Sequence, residues 1–148
     1  MTRLLLALAL AVVAVGVAAV VARRRRQAPP TQPTWSVPAQ LDRADFARPD
    51  APWLVAVFSS ATCDACAKVR AMAVVLESEA VAVDEVEVGQ RRELHQRYRI
   101  DAVPLVVVAD AAGVVRASFV GPPSATDLWA AVAECRDPGS TPEPGLGQ

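Results

Sequence analysis

The chain is poor in several things that would otherwise suggest a function. Histidine occurs once, at His95, and lysine once, at Lys68, against fourteen arginines. Aromatic residues make up 5% of its 148 residues. Cysteine occurs three times, which leaves one over from any set of pairs and argues against a disulfide framework. All sixteen acidic residues follow Arg26, where they face ten basic ones, a net −6 for that portion. An acidic domain with few aromatics and no basic patch argues against nucleic-acid binding. Discounting the two ends, about 100 residues remain, enough for one core.

Charge is missing from one long stretch. Leu4 to Ala22 is nineteen residues without a charged side chain, and Arg23-Arg24-Arg25-Arg26 follows directly. At about 1.5 Å per residue the stretch just crosses a hydrocarbon core. It is longer than the apolar part of a signal peptide, though Val20-Val21-Ala22 could pass as a cleavage site. The expectation is therefore a transmembrane helix with a basic stop over 1–26. The four arginines would hold everything after them on the cytoplasmic face, an extracytoplasmic domain being the alternative. Residues 27–34 are a Pro-rich linker, 35–136 the folded domain, and 137–148 a disordered tail by composition.

What is present is most informative at Cys63-Asp64-Ala65-Cys66. Trp53 to Phe58 before it is apolar, and Trp53 to Ser59 reads as a buried strand. Cys63 to Ala80 carries Val69, Met72, Ala73, Leu76 and Ala80 at helical spacing. Cys63 then falls at a helix N-terminus, where unpaired N–H groups and the macrodipole favour a thiolate, and Cys66 lies one turn on. This predicts a redox pair. Inert buried thiols, or half of a zinc site completed by Cys135, His95 and carboxylates, are the other readings.

The rest of the domain reads as an edge strand near Trp35 to Val37, a short helix over Leu41 to Arg48, and a strand over Val81 to Val88. A helix over Arg91 to Tyr98, strands over Leu105 to Ala109 and Val114 to Phe119, and a last helix capped by Ser124 with Asp127 follow. The order is β-α-β-α-β-β-α, an α/β fold with helices on both faces of a mixed sheet. His95 reads as a solvated surface histidine among arginines, Cys135 as a structural cysteine, and Trp35, Trp53 and Trp129 as core or sheet-edge rings.

From Trp35 to about Glu134 the sequence resembles the thioredoxin superfamily. Phe58-Ser-Ser-Ala-Thr-Cys63-Asp-Ala-Cys66 is similar to the family's active-site motif. Tyr98-Arg-Ile-Asp-Ala-Val103-Pro104 is similar to its X-Pro segment, whose proline is cis there, and Gly113, Val114 and Gly121 fall in register with its last hairpin. The resemblance implies Cys63 as the attacking thiol and Cys66 as the resolving thiol. It implies Val103, Pro104 and Thr62 as substrate contacts, with no cofactor or metal. It also implies a thiol–disulfide oxidoreductase reducing a disulfide-bearing protein or small-thiol substrate and recharged by a reductase or other electron donor. A redox-silent binding module is the alternative, and both would be tethered to the membrane through Leu4 to Ala22. Departures are plain: the family's two active-site tryptophans fall on Ser59 and Thr62, its buried carboxylate on Val57, and that carboxylate's lysine partner on Glu85.

Overall fold

The computed structural model describes residues 35–140. Leu4 to Ala22, the arginines after it, the linker and tail residues 141–148 lie outside the described residues. Among the described residues no helix is long and apolar enough to cross a membrane. The expected localisation on a single-pass anchor is corrected to that extent: the described residues supply no spanning helix to support it.

Two apolar runs, Trp53–Ser59 and Leu105–Asp110, build the middle of the sheet. β1 (Trp53–Ser59), β2 (Val81–Glu87), β3 (Leu105–Asp110) and β4 (Val115–Val120) stand in the order β2-β1-β3-β4. β1 pairs parallel with β2 and antiparallel with β3, and β3 pairs antiparallel with β4. Six of the seven β1 side chains and five of the six in β3 are buried, as continuous Val/Leu/Phe/Ala runs require of strands covered on both faces. The edge strand β4 alternates instead, with Arg116, Ser118 and Val120 outward.

Helices α1 (Asp64–Val74) and α3 (Ala125–Arg136) cover one face over a cluster that includes Val55, Val57, Val69, Ala73, Val106, Leu128 and Val132. A 3-10 turn at Arg43–Asp45 and the short helix α2 (Arg92–Arg97) cover the other, over Leu41, Phe46, Phe58, Leu94, Tyr98 and Leu105. Ser124 caps α3 by accepting from Asp127 N–H, as the sequence predicts.

Four local expectations are corrected. Trp35 to Val37 forms no strand. Pairing begins after Pro38, which has no N–H to give, with Leu41 N–H to Gly113 O and Val115 N–H to Ala39 O. The helix expected over Leu41 to Arg48 contracts to one 3-10 turn capped by the Asp42 carboxylate. The helix expected to reach Ala80 stops at Val74. Leu76 and Glu77 bond back to Ala73 and Val74 in tightened turns, and Arg48 Nη1 and Nη2 take up the carbonyls of Ser78 and Glu79. Trp35 and Trp129 are 49% and 43% exposed, Trp129 holding its ring down by an Nε1–H bond to Met72 O.

Candidate functional site

β1 ends at the sheet's C-terminal edge and delivers the chain into α1 through Ser60-Ala61-Thr62. Cys63 is the N-cap of α1, and its Sγ accepts the Cys66 N–H at 3.2 Å. Orphan N–H groups of a first helical turn favour negative charge, so this position suits a thiolate. Cys63 and Cys66 are joined as a disulfide across 5.3 Å between Cα atoms. Cys63 is partly exposed, whereas Cys66 is 2% exposed beneath it. Only the first sulfur is open to a partner.

Thr62 is exposed, and its hydroxyl lies 3.1 Å from Ser60 Oγ. The Val103–Pro104 peptide bond is cis. Pro104 is buried, and its carbonyl accepts Gly121 N–H at 2.8 Å, Gly121 being at φ +86°, which glycine adopts without strain. Val103 lines a cleft of about 250 Å³ with Ser60, Val88, His95, Ile100, Asp101 and Ala102. The disulfide lines a second hollow of about 310 Å³, which shares Ser60 with the first. Ser60 therefore joins the surroundings of the cysteines to those of Val103. A hollow of about 650 Å³ is lined by residues 48 and 50–52 leading into β1 and by Glu79 and Ala80, away from this chemistry.

Several residues that shape the site carry no functional reading in the sequence. On the face of β2 turned to α1, Val81 and Val83 give way to Glu85 and Glu87 as the strand reaches the disulfide. Ser59, 1% exposed, donates its Oγ–H to Glu85 Oε1 at 2.8 Å, and Arg70 of α1 reaches Oε2 at 3.3 Å. The Glu87 carboxylate is held below its usual range by backbone N–H groups of Gly89, Ala61 and Gln90, with His95 adding a smaller electrostatic pull. It thereby clasps the loop before Thr62 to the turn after β2. Alternation along β2 is the signal that could have found both glutamates.

His95 is corrected outright. It is 5% exposed, its Nε2 lies 2.8 Å from Val86 O, and its ring meets Phe58 edge-on at 5.4 Å. Its spacing from Tyr98, three residues on, puts both on the buried side of α2, while the arginines take the wet side. Cys135 is half-buried against the α3 face of the core, and burial pushes its thiol up.

No protein-family model matches the sequence, and no curated protein matches it. Solved structures do. The chain is similar to the germline-specific thioredoxin Deadhead of Drosophila melanogaster, at 24% identity over 58% of this chain and 83% of that one, with a TM-score of 0.51. It is similar to a point-mutant thioredoxin from Halobacterium salinarum, at 22% identity over 62% and 80%, with a TM-score of 0.50. A structure described as a malarial protein matches at 16% identity over 56% and 96%, with a TM-score of 0.52. At these identities the likeness concerns the fold, and the fold is thioredoxin-like.

Proposed function

We propose that the chain is a thiol–disulfide oxidoreductase that reduces a disulfide in a partner protein through Cys63 and Cys66. The observation that carries this reading is the unequal exposure of two bonded sulfurs at one helix N-terminus. In the reduced protein the Cys66 N–H and the first turn of α1 stabilise a Cys63 thiolate. That thiolate attacks one sulfur of the partner disulfide, and the partner's other sulfur leaves. A mixed disulfide to Cys63 remains. Cys66 then attacks Cys63 Sγ, the partner's second thiolate leaves, and the Cys63–Cys66 bond forms. Two electrons pass from the protein's dithiol to the partner, and a reductase partner returns them. The backbone at Val103 and the exposed Thr62 before Cys63 offer polar groups to an extended partner segment.

Reduction of insulin in the presence of dithiothreitol tests this. The chain should accelerate precipitation of the freed insulin chain, and Cys66→Ser should abolish turnover. No acceleration by the wild-type protein would overturn the reading.

A further inference from the structure

Cys66 is buried, and a buried thiol resists ionisation because burial disfavours its charged form. Resolution of a mixed disulfide requires the Cys66 thiolate, so its proton needs a destination. The apolar wall beneath it offers none: Val57, the β1 residue on the α1 face, is buried and cannot accept a proton. Its cross-strand neighbour in the β1–β2 register is Glu85. Glu85 lines the same 310 Å³ hollow as Cys63 and Cys66. That volume is large enough to hold solvent within reach of both residues that line it.

Resting on the oxidoreductase reading, we infer that Glu85 is the proton acceptor for Cys66 during resolution. The Cys66 S–H proton passes to the Glu85 carboxylate, directly or along solvent in the hollow. The thiolate so formed attacks Cys63 Sγ as the bond from Cys63 to the partner sulfur breaks. The partner leaves as a thiolate that takes a proton from solvent, and Glu85 later returns its own to solvent. Ser59 and Arg70 are positioning residues. The hydroxyl fixes one carboxylate oxygen and the guanidinium the other, and each oxygen keeps a lone pair for the hollow. The charged groups facing Glu85 are Arg70 from α1 and Glu87 from its own strand, with Ser59 from β1 and Gln90 after β2 as neutral neighbours.

A purely electrostatic carboxylate would act in the opposite direction. Negative charge beside a thiol disfavours the thiolate, so its removal would speed resolution. Removing a proton acceptor slows it, by about a hundredfold for a general base. The two roles therefore differ in sign.

Reduced full-length chain, with Cys135→Ser throughout, is mixed with dithiobis(nitrobenzoate), which releases one coloured thiolate when Cys63 attacks and a second when Cys66 resolves. Glu85→Gln should leave the first phase within about twofold and slow the second about a hundredfold. It should also steepen the rise of the second phase with pH, because hydroxide then does the work. Glu85→Asp should recover part of the rate, and Ser59→Ala, which leaves the carboxylate in place but unfixed, should slow it less than Glu85→Gln. A second phase that is unchanged or faster in Glu85→Gln would overturn the assignment, as would equal slowing of both phases. Absence of both phases in the Cys135→Ser parent would instead overturn the oxidoreductase reading.

Discussion

The two faces of the sheet are packed from different materials. Beneath the 3-10 turn and α2, the rings of Phe46, Phe58, His95 and Tyr98 meet one another at centroid distances of 5.4 to 6.4 Å. Polar anchors surround them. Arg91 holds Asp84, Arg97 holds Asp45, and the Tyr98 hydroxyl bonds Asp45 while accepting from Asp42 N–H. Beneath α1 and α3 the buried hydrophobic cluster is Val, Ala and Leu alone. That aliphatic packing ends at Val57, beyond which Glu85, held by Ser59, and Glu87 line the polar hollow beside the disulfide. One face fixes the frame, including the segment that leads from Tyr98 to Val103. The other seats a reactive helix over a hollow able to handle protons. Stability and chemistry are thus held on opposite sides of the same strands.

If the ring-packed face is the frame, its central ring carries the largest single cost. Phe58→Ala should lose about 3–5 kcal/mol of unfolding free energy in urea titration, whereas Val69→Ala under α1 should lose about 2 kcal/mol. Equal losses would break the comparison.

A second difference shows in alkali. Burial, then the hydrogen bond to Asp45, pushes the Tyr98 hydroxyl up to about 12. The folded state therefore holds a proton that the unfolded chain releases near pH 10. This contribution is complete below pH 10 and is lost as pH rises toward 12. Tyr98→Phe should remove a pH dependence on the order of 1 kcal/mol between pH 9 and 11. A variant with the same alkaline slope as the wild type would separate Tyr98 from the anchor network.

The smallest effect belongs to the other face and has the opposite sense. Glu87 has a lowered pKa, so its contribution is present above the unfolded value near 4.5 and fades as pH falls through the folded one. The gap in melting temperature between wild type and Glu87→Gln should be open at pH 6 and close by pH 3. A constant gap would mean that the clasp between Ala61 and Gln90 does not depend on the charge.

The interior strands are legible in the sequence because their runs are apolar without interruption. Trp53–Ser59 matches its expected span to the residue and Leu105–Asp110 to within one. The end of α1 is not legible, because Leu76 continues the helical spacing and still packs on the core after the helix has stopped. His95 misleads because its flanking arginines dominate a local reading, while the groups that bury it, Phe58 and the Val86 carbonyl, are distant in sequence. The cysteine pair needs only its own spacing and the strand before it. Glu85 is visible as a departure at a family position, but its use depends on register: only pairing with β1 sets it beside Val57 and in the hollow that Cys66 also lines. The Leu4 to Ala22 reading rests on hydropathy alone, with nothing in the described residues to carry it.

The account stands most directly on the unequal roles of two sulfurs. Cys66→Ser and Cys63→Ser chains, each with Cys135→Ser, are incubated with an oxidised peptide disulfide, and the products are weighed intact by mass spectrometry. The account predicts a stable adduct on Cys63 in the Cys66→Ser chain and almost none in the Cys63→Ser chain, because Cys66 is covered. Equal capture by both chains, or capture by Cys66 alone, would contradict it.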